Sequence, residues 1–280
     1  MLKDFFYSLD NKMFTDLAQR TLTEDIEPVI SQKFSPDDCC RLRLLLIIAN
    51  FEYMIKLYQS KSYPQKMLNS ISQDLALWLQ QMEIDLGLWG ITARLFNWFK
   101  DELNGNVKQF VRLQCNDIHY FAQERTFSEG ENSIAPGDPC INLHIPASGA
   151  LDIAQCLDSL REMVEFSHKF NSDFNFKAIV CYSWLLDPQL QKMLPPDSNI
   201  IKFQSLGHIY PLPEHNQDEE VCWRLWGAET ARKALSERPC KTTLQKNAID
   251  FLRNGGHFQA GCLVIFRNEL PRLLNIESFC

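Results

Sequence analysis

The stretch that decides the fold is "INLHIPASGALDIAQC", residues 141–156. It predicts a short apolar strand that ends at Pro146, a loop of small residues, and a helix that begins near Asp152. A second stretch, "AIVCYSWLLDPQL" (178–190), has the same pattern, because a buried strand runs into Asp187 and Pro188, which favour a helix start. Two such junctions predict a sheet that packs against helices.

The first part of the chain, residues 1–105, has apolar residues at helix spacing throughout. Ser35 followed by Pro36 is a strong helix start, with Ser35 as N-cap and two acidic residues in the first turn. The spacing predicts helices over 3–19, 36–58, 64–82 and 86–103.

From residue 106 to 280 the period changes, and strands alternate with helices. In the first strand, Phe110, Arg112 and Gln114 are expected on one face and Val111 on the other. Strands are predicted over 109–123, 140–147, 176–184, 199–212, 220–227 and 257–266. Helices are predicted over 148–170, 187–194 and 242–256, and a loop is predicted over 128–139. The fold class is therefore α+β: a helical N-terminal domain (1–105) followed by a mixed β-sheet domain flanked by helices (106–280).

Composition and charge exclude several classes of protein. The net charge is -7 and no cluster of basic residues occurs, which excludes a nucleic-acid-binding face. The longest apolar run, "LRLLLIIANF", is half of what spans a bilayer, and the first residues lack a secretory signal. The ten cysteines contain no C-x-x-C pair, so we expect free thiols, no metal site and a cytoplasmic location.

The loop before Asp152 has two interpretations. Free backbone N–H groups at a helix N-terminus can bind a phosphate. Alternatively, Ser148 or Asp152 simply caps the helix, and the acidic Asp152 favours this second interpretation because it competes with an anion.

Three polar side chains near the two strand ends are candidate catalytic residues. His144 could act as a base, Ser183 could form a nucleophile–base pair with it, and Tyr182 could act as an acid. The alternatives are a hydrogen-bonded strand histidine, a serine in a helix cap and a half-buried tyrosine. Alternation puts Ser183 and Tyr182 on opposite faces of the strand, and we favour the Ser183 face.

Several stretches carry a family resemblance: "RLQC" (112–115), "NLHIPASGALD" (142–152), "CYSWLLDPQLQKMLPPDSNIIKFQSLGHIYPL" (181–212), "TTLQKNAIDFLRNGGHFQAG" (242–261) and "SQDLALW" (72–78). Together they resemble bacterial acyltransferase-domain proteins, which combine a helical N-acyltransferase N-terminal domain with a GNAT-like C-terminal domain. The resemblance implies that "INLHIP" lies along the pantetheine of CoA. It also implies that the following loop holds the pyrophosphate, which assigns CoA contacts to Ile145, Ala147, Ser148, Gly149 and Ala150.

The resemblance implies a CoA-dependent acyltransferase that moves an acetyl or other acyl group from an acyl-CoA to an amine of a small molecule. Trp184 and His208 are assigned to the substrate. The loop has one glycine where GNAT enzymes have two, so the alternative is a degenerate GNAT-like module that binds or senses a ligand. A structural partner of another protein is the third interpretation. The oligomeric state is left open.

Overall fold

The computed structural model describes residues 2–227, 235–236 and 239–276. The chain divides into two compact units, Met1–Gln109 and Phe110–Cys280. The described elements of the first unit are α1 (Leu2–Ser8), α2 (Asn11–Arg20), α3 (Glu27–Lys33), α4 (Pro36–Ala49), α5 (Phe51–Ser60), α6 (Gln65–Leu86), α7 (Ala93–Leu103) and β1 (Lys108–Gln109).

The helix starts of the first unit follow local capping chemistry. The Ser35 side chain accepts a hydrogen bond from the Asp38 N–H, and Pro36 is the first residue of α4, as predicted. The prediction of one continuous helix over 36–58 was wrong, because the chain breaks at Asn50. The Asn50 side-chain amide donates to the carbonyl oxygens of Leu46 and Ala18, and this hydrogen bonding fixes the break.

The second unit contains a mixed sheet. Five of its strands lie in the order β2-β5-β6-β8-β7, in which β5 and β6 are parallel and the other neighbours are antiparallel. Two further strands, β3 and β4, form a separate hairpin. The strands are β2 (Gln114–Tyr120), β3 (Phe127–Glu129), β4 (Asn132–Ile134), β5 (Pro139–His144), β6 (Ala178–Ser183), β7 (His208–Asn216) and β8 (Gln259–Phe266).

Helices connect these strands and cover the end of the sheet. The longest, α8 (Ile153–Phe170), is the crossover that joins the parallel strands β5 and β6. The other described α-helices of this unit are α9 (Leu190–Met193), α10 (Asn199–Gln204), α11 (Asp218–Trp226), α12 (Thr243–Arg253) and α13 (Leu270–Leu274). An α+β architecture with a mixed sheet is therefore confirmed.

The two faces of the sheet are distinguished by alternation. One face carries Val180, Tyr182 and Val264, which pack with Phe121 and Phe127 in one core cluster. Residues 179, 181, 263 and 265 point to the opposite face and are buried as well. A second cluster of buried residues joins the corner after β6 to helices α9, α11 and α12.

Three secondary-structure predictions were wrong in the second unit. The segment 199–204 is the helix α10 and not a strand, because the Ser198 hydroxyl accepts from the Ile201 N–H and caps a helical turn. The segment 218–226 is the helix α11, in which Val221, Cys222 and Trp226 form a buried stripe. The segment predicted as a loop contains the β3–β4 hairpin, which turns at Gly130 with a positive φ.

Candidate functional site

The two parallel strands separate at their carboxyl ends. The register between β5 and β6 ends at Leu143 opposite Cys181. Strand β6 continues, however, and pairs with β8 as far as Ser183 opposite Gly261. Residues 182 and 183 therefore have no partner on β5, and we call the space between these unpaired strand ends the gap. The carboxyl ends of parallel strands are where α/β folds bind ligands.

The loop 146–150 borders this gap and is held by Arg112. The Arg112 guanidinium donates three hydrogen bonds to loop carbonyl oxygens: Nε to Ala150 at 2.8 Å, and Nη2 to Pro146 at 3.2 Å and to Gly149 at 3.3 Å. Gly149 has a φ of 68°, which favours glycine. The alternating pattern predicts Arg112 on a strand, on the face opposite Val111. Instead, residues 110–113 form a turn in which Arg112 is 7% exposed and Val111 is 49% exposed.

Asp152 is the N-cap of α8, and its carboxylate accepts from the Gln155 N–H at 3.0 Å. The capping interpretation is therefore confirmed for Asp152. This cap uses only the amide of Gln155. It leaves the amides of the preceding loop available, so the two interpretations of this junction do not exclude each other.

His144 is the last residue of β5 and lies in a polar cluster between β5 and β2. Its Nε2 is 2.7 Å from Oδ1 of Asn116 and 3.4 Å from Nδ2 of Asn142. Burial, together with a smaller contribution from the neighbouring His119, lowers the pKa of His144 to about 4. The imidazole is therefore neutral at pH 7. A proton on Nε2, donated to the Asn116 oxygen, makes Nδ1 the basic nitrogen.

Tyr182 shares the sheet face of His144, whereas Ser183 points to the other face. The register pairs Asn142 with Val180, and alternation along both strands places His144 and Tyr182 on the same face, where the Tyr182 ring packs against the Phe121 cluster and its hydroxyl is buried. The structure therefore does not form the predicted pair of Ser183 with His144. Burial raises the pKa of Tyr182, so its phenol stays protonated at neutral pH.

The end of β6 is a closed corner, which comprises residues 183–187. The Ser183 hydroxyl accepts from the Leu185 N–H at 3.1 Å and caps a 3-10 turn over Trp184–Leu186. Gly261 on β8 permits this turn to pack closely, because a Cβ there would lie 2.3 Å from the Leu186 carbonyl oxygen. Asp187 is fully buried and accepts from the N–H groups of Gln189 and Gln259, both at 2.9 Å.

The two residues predicted to contact substrate lie elsewhere. Trp184 is buried in the cluster formed with α9, α11 and α12. His208 begins β7, which is separated from β5 by β6 and β8, a distance of about 14 Å at ordinary strand spacing. Its Nε2 lies 2.8 Å from the Glu269 carboxylate. The structure therefore brings neither of them to His144. A substrate role for either residue stays a prediction.

Buried thiols surround the gap. The described cysteines are all free. Cys181 stands at the last paired position of β6, and Cys156 lies in the first turn of α8. Burial raises the pKa of the Cys181 thiol to about 12 and that of Cys156 to about 11. Within the described ranges, no group of three or more acidic, His or Cys side chains could hold a metal ion.

A cavity of about 620 Å³ lies at the other end of the sheet. Its lining includes Asn175, Lys177 and Arg267, which flank the start of β6 and the end of β8. It is distant from the strand ends that carry His144 and Tyr182.

No described helix has the length and apolar character needed to cross a membrane.

Comparisons with known proteins give a consistent picture. A sequence model of the family described as "GNAT-like C-terminal domain" matches residues 57–265. No curated protein matches the chain significantly. A crystal structure of an acyltransferase in complex with decanoyl-CoA is similar, with a TM-score of 0.68, 20% identity, and coverage of 90% of this chain and 76% of that chain. An acyltransferase in complex with decanoyl-CoA and teicoplanin has a TM-score of 0.71, 19% identity, and coverage of 91% and 79%.

Proposed function

The chain belongs to the GNAT-like C-terminal domain family, and on that premise we propose that it is a CoA-dependent N-acyltransferase. It transfers an acyl group from the thioester of an acyl-CoA to an amine. The observation that carries this proposal is the gap between β5 and β6, which is bordered by a small-residue loop and has a neutral histidine at its edge.

The donor lies along β5 with its thioester between the two strand ends. On the side that faces β6, the backbone of β5 beyond Leu143 has no partner strand and is available to the amide groups of pantetheine, whereas on the other side His144 still pairs with Gln114 of β2. The loop at the start of α8 receives the pyrophosphate, because N–H groups at a helix N-terminus favour an anion. The contacts predicted for Ile145, Ala147, Ser148, Gly149 and Ala150 belong to this arrangement. Similar folds that hold decanoyl-CoA support an acyl-CoA as the donor.

His144 and Tyr182 carry the proton transfers. The amine nitrogen attacks the thioester carbonyl carbon, and Nδ1 of His144 accepts the proton that the nitrogen loses. The carbon–sulfur bond then breaks, and the Tyr182 hydroxyl protonates the leaving thiolate to give free CoA. The imidazole is neutral and can accept a proton, and the phenol is protonated and can donate one.

The test measures turnover directly. The purified protein is incubated with acetyl-, octanoyl- or decanoyl-CoA and a panel of amines, and acylated product and free CoA are measured by mass spectrometry. Teicoplanin belongs in the panel because a similar acyltransferase holds it together with decanoyl-CoA. We expect product with at least one pair and its loss in His144→Ala. A folded protein that binds no acyl-CoA at millimolar concentration would contradict the proposal. Binding without turnover for any amine would instead favour the ligand-binding module.

A further inference from the structure

We propose that Arg112 is a positioning residue that turns the loop 146–151 so that three of its backbone N–H groups face the pyrophosphate of the donor. This inference rests on the proposed function and deepens it. The sequence analysis gave Arg112 no role. In the structure, its guanidinium makes three hydrogen bonds to the loop that borders the gap.

The direction of the loop amides follows from the direction of the carbonyl groups. In a trans peptide the C=O and the N–H of the same unit point in opposite directions, and the described chain has no cis peptide. Arg112 holds the carbonyl oxygens of Pro146, Gly149 and Ala150. The N–H groups of the residues that follow them therefore point away from the guanidinium, and these residues are Ala147, Ala150 and Leu151.

These three N–H groups are not used by the protein itself. None of them donates a hydrogen bond to another described residue. Asp152 takes only the amide of Gln155. Free N–H groups in the loop directly before an 18-residue helix are the kind of donor that binds phosphate in other folds.

The charge of Arg112 is a second, independent observation. The side chain is 7% exposed, and Nη1 is buried without a hydrogen-bond partner. No carboxylate of the described residues pairs with the guanidinium. A buried cation normally has a counter-ion, since an isolated one is costly. An anion on the far side of the loop would supply the missing negative charge.

The backbone of Arg112 is hydrogen-bonded to α8, the helix that follows the loop. Its backbone N–H donates to the Ser159 hydroxyl at 2.8 Å, and that hydroxyl donates to the Gln155 carbonyl oxygen at 2.8 Å. The turn 110–113, the loop and the first two turns of α8 are therefore one hydrogen-bonded assembly. Such an assembly holds the amides in place before the donor arrives, which lowers the entropic cost of binding.

The experiment compares the affinities of wild type and Arg112→Lys for three ligands by calorimetry: CoA, dephospho-CoA and pantetheine. Lysine keeps the charge but cannot hold three carbonyl groups with a planar fork. We expect affinity for CoA and for dephospho-CoA to fall by about tenfold, because both contain the pyrophosphate, and affinity for pantetheine to be unchanged. Arg161→Lys is the matched control, since Arg161 lies on α8 and donates to the carbonyl oxygen of Leu274, away from the loop. It should leave all three affinities unchanged.

A second measurement uses only the wild type, in case the variant unfolds. The amide resonances of Ala147, Ala150 and Leu151 should shift on addition of CoA and of dephospho-CoA, and not on addition of pantetheine. Three results would overturn this inference and leave the proposed function intact. They are an equal loss of affinity for all three ligands in Arg112→Lys, a loss of affinity confined to CoA, and CoA binding to the wild type without shifts of these amide resonances. A folded wild type that binds neither CoA nor pantetheine would overturn the proposed function and this inference with it.

Discussion

The ends of the two parallel strands β5 and β6 differ in how their polar groups are used. At the end of β6, the protein satisfies its own backbone. Ser183 caps the following turn, and Asp187 accepts hydrogen bonds from two N–H groups. At the end of β5, Arg112 holds the carbonyl groups of the loop, while three loop N–H groups have no acceptor among the described residues.

This difference separates a structural corner from a binding loop. Buried N–H groups in proteins are almost always satisfied, so a junction that satisfies all its groups has nothing to offer a ligand. At the end of β5, Ala147 and Ala150 lie on an exposed loop, so their N–H groups can be offered to a ligand, with the buried cation of Arg112 behind them. The two junctions have similar sequence patterns, and their side-chain contacts give them different roles.

The largest expected effect is the loss of stability in Asp187→Ala at the closed corner. The carboxylate is fully buried and accepts from the N–H groups of Gln189 and Gln259, so its removal leaves two part-buried donors without their acceptor. We expect the free energy of unfolding to fall by about 3 kcal/mol. Chemical denaturation measures this change. Asp152→Ala, the cap of the open junction, is the matched control and should cost about 1 kcal/mol. Equal losses at the two sites would remove the contrast between them.

The next effect is on turnover at the open end. His144→Ala should lower kcat by about a hundredfold with little change in donor affinity, because the variant loses the base and keeps the loop. The pH profile gives a sharper test. A base must be neutral, so kcat/KM should fall as the pH drops through about 4, well below the ordinary histidine value of 6.5. Circular dichroism at each pH controls for unfolding. An acidic limb near 6.5 would contradict the assignment of His144 as the base.

Ser183→Ala should have a smaller effect, and on stability alone. The hydroxyl accepts from the Leu185 N–H and lies on the face opposite His144. We expect a loss of about 1 kcal/mol in the free energy of unfolding, typical of a lost cap, and a kcat within about twofold of wild type. Steady-state kinetics and thermal melting on the same preparation separate the two. A large fall in kcat in a stable variant would restore Ser183 as a catalytic residue.

The smallest effect is expected from Asp152→Asn at the open junction. Asparagine is as good an N-cap as aspartate, so stability should be unchanged. The substitution removes a negative charge from the start of α8, where it opposes a bound phosphate. CoA affinity should therefore rise by about twofold to threefold, and the gain should decrease with salt. An affinity for pantetheine that rises equally would show that the charge does not act on the phosphates.

Much of the fold could be predicted because its signals are local. The cap at Ser35, the start of the helix predicted over 242–256 and the strand–loop–helix pattern of 141–156 depend on neighbouring residues, and the structure forms each of them. Helix α11 was missed because Val221, Trp223 and Leu225 alternate as in a strand. The buried stripe of Val221, Cys222 and Trp226 becomes clear only when the packing partners are known.

The candidate site was predicted less completely, because its groups meet through strand register. The sequence singled out His144 and Tyr182 but could not show that they share a face, which depends on the pairing of β5 with β6. Arg112 was assigned to an alternating strand. Its place under the loop depends on hydrogen bonds to residues more than thirty positions away. The available signal was a single arginine between the apolar residues Val111 and Leu113, which is too common a pattern to identify a buried cation.

The raised thiol pKa values have a consequence for the chemistry of a thioester donor. A cysteine thiolate attacks a thioester readily, takes the acyl group and releases CoA, which would waste the donor and block the enzyme. Cys181 stands where the two strands separate and Cys156 stands beside the loop. With a pKa of about 11, the Cys156 thiol is ionised in only about one molecule in ten thousand at pH 7. Burial thus keeps the thiols of Cys156 and Cys181 protonated, which limits transfer of the acyl group to the protein itself.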